Sequence, residues 1–300
     1  MMNYMIMVKR MRNSFKYYFK SGCSSCDFIL KHLDLNKNDE VIVPVTLCQS
    51  IIDVIINNDL KPIFVDIDDN FLMTKDSIKE KITNKTKAII FVEQYGNNIS
   101  DDFDYFNKDN ERIIKILDSC QNGIKKYDNN FDYIFYSFNK RKPIDLNGYS
   151  LLESKNSLDI NNNISKFILF RLFIKRLFYK IRLYRKRKIR NIILNNIKIP
   201  GKLLECSNYS YHRIVYVMNV TKKEFNIIDD KIYDFMSKNN LDTLQTTIEE
   251  APFVKLNVKE DFKMYNKLRY KTLYFRSDNR IKNYHMVINE LNKIWSDIHE

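Results

Sequence analysis

The chain reads as an α/β protein, with a mostly parallel, doubly wound sheet followed by a smaller C-terminal α+β domain. Three observations predict this. Short apolar runs recur at Glu40–Val43, Pro62–Val65, Lys87–Val92, Ile113–Leu117 and Tyr133–Tyr136, and they are nearly continuous in Val and Ile rather than alternating. That is the pattern of strands covered on both faces. Helix-length stretches near Cys26–Leu33, Gln49–Asn57, Lys75–Ile82 and Asp101–Phe106 separate them, as βαβ units require. Beyond a long basic stretch a second pattern begins with a strand at Arg213–Val220. A helix at Ile227–Asn239, a strand at Thr272–Arg276 and a closing helix at Tyr284–Ile298 complete it. The expected divisions are a major domain over 1–155, a basic amphipathic helical segment over 156–205, and a small domain over 206–300.

With 300 residues, 44% hydrophobic and 13% aromatic, the chain has ample material for a core and is not disordered. Heavy use of Asn, Ile, Lys and Tyr with only five glycines reads as the bias of an AT-rich genome, so lysine counts alone carry little. Five cysteines (Cys23, Cys26, Cys48, Cys120 and Cys206) are irregularly spaced, and no secretory signal precedes them. The expectation is a reduced, cytoplasmic protein. Cys23 and Cys26 have the spacing of a redox or half-zinc motif, but there is no second such pair and the four histidines are scattered, so no metal is expected.

The net charge of +13 is concentrated. Residues 166–190 hold 11 Lys or Arg and no acid, which leaves about +2 for the rest. No nucleic-acid module signature accompanies them, so nucleic acid is not an expected partner. Apolar residues interleave with the charges too finely for a membrane span. At helical spacing the segment makes a cationic amphipathic helix. Two readings stand: it lies on an anionic membrane surface or partner groove, peripheral to the inner face of the membrane, or it packs on its own domain with its charged face in water.

In open α/β sheets ligands gather at the carboxyl ends of the strands. Pro44, Asp66, Glu93, Asp118 and Ser137 fall there, and Lys142 follows Asp118 by 24 residues. A buried acid after one strand and a lysine past the next form the pair that pyridoxal phosphate (PLP) chemistry needs. The lysine holds the cofactor as a Schiff base, and the acid keeps the pyridine nitrogen protonated so that the ring can accept electrons. Taken singly each residue has an ordinary reading: Asp118 as a helix N-cap, Ser137 as a polar strand end, Lys142 as one of three clustered cations.

The ordered set is more specific. Ser21–Ser25, Asp39–Pro44, Lys61–Asp66, Thr86–Ile90, Gln94–Gly96, Asp118–Gln121 and Tyr136–Phe138 followed by Lys142 together resemble the DegT/DnrJ/StrS-type sugar aminotransferases, a PLP-dependent family of fold type I. The likeness is strong over 21–152 and weaker over 212–298. It implies a phosphate cradle at Gly22, Cys23 and Ser24 with help from Ser137. It further implies a pairing of Asp118 with the ring nitrogen, of Gln121 with the phenolic oxygen, and a catalytic Lys142. Cys48 aligns with the aromatic that usually stacks on the ring. Lysine rather than histidine at 142 favours transamination over the dehydrating branch. A nucleotide-linked keto-sugar as substrate, glutamate as amino donor, a role in surface polysaccharide synthesis and a homodimer are implied as well.

Departures from the family pattern are also visible. Gly22-Cys23 stands where Gly-Thr is usual, and Cys48 removes a ring contact. Only 20 residues precede Ser21, no Gly-x-Asn-x-Arg segment follows the lysine, and the interval from Asp118 to Lys142 is tight. They motivate an alternative reading, a catalytically degenerate member serving as a membrane-associated scaffold.

Overall fold

The computed structural model describes residues 14–99, 107–108, 111–125, 131–140, 142–160, 165–204, 213–246, 252–276 and 280–300. The first domain runs β1 (Phe15–Phe19), α1 (Gly22–His32), β2 (Glu40–Pro44), α2 (Gln49–Asn57), β3 (Lys61–Val65), α3 (Lys75–Lys79) and β4 (Thr86–Val92). A short hairpin, β5 (Asn107–Lys108) and β6 (Glu111–Arg112), precedes β7 (Ile114–Asp118), β8 (Tyr133–Ser137) and β9 (Ser150–Ser154). The expected helix at Asp101–Phe106 lies outside the described residues.

Seven strands form one sheet in the order β1-β9-β8-β7-β4-β2-β3. From β8 to β3 all pairings are parallel; β9 alone runs against its neighbours. The two-residue period of a strand splits its side chains between two cores. Val41, Val43, Ala88, Ile90, Ile116 and Phe135 face α1 and α2, whereas Ile42, Ile89, Phe91, Leu117 and Ile134 face the other layer with Ile78 of α3. This two-sided burial is why the strands are legible as unbroken apolar runs. Two strands escaped that reading. β1, with Lys16 in an edge position, is apolar on one face only, and β9 carries Ser150, Glu153 and Ser154.

The remainder runs α4 (Lys166–Asn196), β10 (Gly201–Leu203), β11 (Arg213–Met218), α5 (Lys222–Lys238), β12 (Leu244–Gln245), α6 (Pro252–Lys255), α7 (Lys263–Arg269), β13 (Thr272–Arg276) and α8 (Ile281–His299). A four-stranded antiparallel sheet, β10-β11-β13-β12, is buried on both sides. Ile214, Tyr216, Leu273 and Phe275 pack on α5 and α8, while Val215, Val217 and Tyr274 join the core of the first domain. Helix α5 starts at a capping box, Thr221 with Glu224, five residues before the expected start. Helix α4 spans both units: Leu172 is buried against the first and Ile189 and Ile193 against the second.

Candidate active site

The pocket forms where the parallel strands stop. Residues after β2, β4, β7 and β8, together with the start of α1, enclose about 330 Å³. Gly22, Cys23, Cys48, Asp118, Gln121, Ser137 and Lys142 all line it. Of the residues expected at the site, Ser24 is not among its walls; its backbone N–H donates to Ser21 Oγ at 3.1 Å, and the two hydroxyls lie 3.0 Å apart.

Ser21 is the N-cap of α1, and no acid occupies the first turn of that helix. The start of the helix, at Gly22 and Cys23, and the positive end of its dipole therefore lie at the pocket wall. Gly22 is required by proximity. A Cβ there would lie 3.3 Å from Cys120 Sγ and 3.6 Å from Ser137 Cβ, so glycine lets the helix approach the ends of β7 and β8.

Asp118 ends β7 and is 6% exposed. Its Oδ1 accepts the Cys120 N–H at 2.9 Å, and its backbone carbonyl accepts from Glu93 N. Burial pushes the carboxyl above the ordinary aspartate range, opposed by the hydrogen bonds from Cys120 and the positive charge of Lys142. Lys142 sits in a pinned loop. Its N–H donates to Asn139 O at 3.1 Å, Leu146 N–H donates to Phe138 O at 2.8 Å, and Ile144 and Leu146 are buried in the outer layer. Cys48 opens into the pocket yet is walled by it, and desolvation raises its thiol. Buried Cys120 is raised further for the same reason.

Below the strand ends lies a polar floor. Glu93, 1% exposed, accepts from Ser119 Oγ at 2.7 Å, Asn122 Nδ2 at 2.6 Å and Lys125 Nζ at 2.5 Å. Gln121 accepts the Tyr95 N–H at 2.8 Å and donates to Gln94 Oε1 at 3.1 Å. This holds Tyr95 at φ 55°, a left-handed conformation costly for a non-glycine residue. Its ring lies 5.4 Å from that of Tyr274 on β13, so the floor reaches the second domain.

Sequence reasoning missed several walls. Thr46 and Gln49 follow β2 within five residues, and the rule that ligands gather at strand ends would have included them. Thr46 Oγ1 and Gln49 Oε1 are buried without a hydrogen-bond partner among the described residues, the state of groups shaped for a ligand. Arg213, Gln245, Lys255 and Tyr274 arrive from the second domain, and no local pattern announces them. Arg213 donates to Gln245 Oε1 at 2.5 Å.

These residues fit pyridoxal phosphate. A helix N-terminus with flanking serines and no acid in its first turn suits a phosphate, and a buried carboxylate suits a protonated ring nitrogen. Lys142 supplies the amine, and the orphaned polar atoms of Thr46 and Gln49 await partners.

Comparison with known proteins agrees. Residues 11–144 match the DegT/DnrJ/EryC1/StrS aminotransferase family, so the resemblance read from the ordered motifs holds over that stretch. GDP-perosamine synthase of Escherichia coli O157:H7 is 39% identical over 77 residues, a stretch covering 25% of this chain and 21% of that protein. Among solved structures, Helicobacter pylori PseC, an aminotransferase involved in pseudoaminic acid biosynthesis, superposes with a TM-score of 0.74 at 11% identity, covering 94% of this chain and 86% of that one. NtdA of Bacillus subtilis, solved with bound cofactor PMP, gives 0.73 at 18% identity, covering 94% and 73%. The fold is that of the PLP-dependent sugar aminotransferases.

Proposed function

We propose that this chain is a PLP-dependent aminotransferase that transfers an amino group, with glutamate as donor, to a nucleotide-linked keto-sugar for surface polysaccharide synthesis. The observation that carries the reading is the meeting of Lys142, Asp118 and the N-terminus of α1 in one pocket. Bound there, pyridoxal phosphate would supply an electron sink for the charge that develops when the donor's Cα–H bond is broken. Gly22, Cys23 and Ser137 would hold its phosphate through backbone amides and a hydroxyl. Asp118 would keep a positive charge on the ring nitrogen, an arrangement that also relieves the cost of its own burial.

Lys142 would anchor the cofactor and take the proton from the donor's Cα at its Nζ. Gln121 positions the floor by holding Tyr95, and Glu93 gathers Ser119, Asn122 and Lys125 beside it. Arg213 and Lys255 put two cations beside the pocket, which suits the donor's carboxylates or a nucleotide diphosphate. Lysine at 142 supports transfer over dehydration. By resemblance to the family the working unit would be a homodimer.

The test is spectroscopic. Protein mixed with PLP should turn yellow, and borohydride should fix the cofactor on Lys142, read by peptide mass. Glutamate should bleach the colour, and a nucleotide-linked keto-sugar should restore it. Lys142→Ala should abolish fixation. A folded protein that takes up no PLP would overturn the proposal.

A further inference from the structure

Helix α4 turns an apolar face outward. Phe167, Phe170, Phe173, Leu177, Phe178 and Ile181 are each between 54% and 66% exposed. At 3.6 residues per turn these six occupy an arc of about 140° over a length of ~21 Å. The opposite side is the one that packs: Leu172 is buried, with Ile168 and Tyr179 partly buried against the same core. Tyr179 lies so close on Gly123 that a Cβ there would meet its ring at 2.8 Å. The helix is therefore anchored by its inner side, and the outer apolar arc is not a core surface. Isolated exposed apolar residues need no account, but a contiguous stripe of this kind marks an interaction site.

Charge identifies the occupant. The helix carries 11 Lys or Arg and no acid between residues 166 and 190. On the helical wheel Arg171, Lys175 and Arg182 border one edge of the apolar arc and Arg176 the other, and beyond Ile181 the same face turns cationic at Arg185 and Lys188. Cations at the borders of an apolar face sit at the depth of lipid phosphates when that face enters the acyl boundary. A nucleic acid would call for cations at the centre of the face, where Phe170 and Leu177 stand. A second copy meeting this face with its own would bring two acid-free cationic helices together. No helix among the described residues is long and apolar enough to cross a membrane, so the chain would lie on the bilayer rather than span it.

We propose that the outer face of α4 docks on the surface of an anionic phospholipid bilayer, with Phe167 to Ile181 in the interface and the bordering arginines and lysine on lipid phosphates. This is independent of the chemistry at Lys142.

The experiment uses the full chain with vesicles of phosphatidylglycerol plus phosphatidylcholine, or of phosphatidylcholine alone. Sedimentation with the anionic vesicles only is expected. Phe170→Ser/Phe173→Ser/Leu177→Ser should weaken that binding at least tenfold with an unchanged melting temperature. Arg171→Gln/Lys175→Gln/Arg182→Gln, altered only at the half-buried borders of the arc, should weaken it about a hundredfold, from roughly 1 kcal/mol per cation, again with an unchanged melting temperature. Failure to bind anionic vesicles overturns the proposal, as does binding that neither variant changes. A wild-type dimer in light scattering that the serine variant splits would also overturn it, because the face would then join two copies of the chain.

Discussion

Asp66, at the carboxyl end of β3, caps a helix 198 residues away: its Oδ2 accepts the Met264 N–H at 2.8 Å and its Oδ1 the Tyr265 N–H at 3.0 Å. These are second- and third-position amides of α7, which has no cap from its own chain neighbour Phe262. One carboxylate thus satisfies two orphan donors and ties the segment ahead of β13 to the first domain. Phe253, Phe262 and Tyr265 cluster beside this link within the shared core.

Asp66→Ala should therefore lower stability by about 1–2 kcal/mol, the scale of losing a helix cap. Asp66→Asn, which keeps one acceptor oxygen, should lose less. Because α6 and β13 supply Lys255 and Tyr274 to the pocket, the alanine variant should also bind PLP more weakly. Thermal melting and a PLP titration check both. An unchanged melt would show that the cap contributes nothing to domain docking.

Asp118 makes a prediction about pH. Its folded carboxyl is raised by burial, so the folded protein holds this proton more tightly than the unfolded chain does. The group's contribution to stability is then most favourable below the ordinary value of ~3.9 and is lost as pH rises through the raised folded value. Asp118→Asn removes that loss while an amide oxygen can still accept from Cys120 N. Without cofactor the variant should melt at or above wild type at pH 7, with the gap closing below about pH 4. With PLP the order should reverse, since the ring nitrogen loses its counter-charge. A gap that widens on acidification would contradict this account.

The thiols should sort by burial. Cys26 is 0% exposed, and burial pushes both it and Cys120 well above the ordinary thiol range. Iodoacetamide at neutral pH should leave both unmodified in the folded protein and reach Cys48 slowly. PLP should slow Cys48 further, because that residue lines the same pocket. Peptide mass spectrometry reads all three, and Cys26 reacting as fast as in urea would refute the assignment.

Gly201 begins β10 opposite Met218, and a Cβ there would meet Val217 O at 2.5 Å, Tyr216 Cε1 at 2.7 Å and Met218 Cα at 2.9 Å. Most of those atoms are backbone or core and cannot yield cheaply. Gly201→Ala should cost about 1–3 kcal/mol, as overpacking does, and lower the melting temperature by several degrees. PLP uptake should be unaffected, since the second sheet meets the pocket through other strands.

The parallel strands were legible because burial on both faces leaves no polar residue to interrupt them. Strand β7 ends on Asp118 itself, one residue beyond the expected Leu117, and that single step puts the carboxylate at the strand's mouth. Helix α1 begins at Gly22, four residues before the apolar signal at Cys26, because its first turn is built from small residues that pack closely. Edge and antiparallel strands such as β1 and β9 carry weaker patterns and were not seen.

By itself the sequence determined the strand and helix alternation, the order in which Gly22, Cys48, Asp118, Ser137 and Lys142 occur, and the acid-free charge of α4. Those are properties of local composition and spacing, and hydrophobic periodicity reads them directly. Only the tertiary structure decided that Arg213 and Tyr274 reach the pocket, that Asp66 caps α7, that Gln121 holds Tyr95 in a left-handed turn, and that the apolar arc of α4 faces outward. Each of those depends on which elements lie against each other. A chain position far along in sequence becomes a neighbour only when burying apolar surface brings two layers together, and nothing in a local window records that meeting.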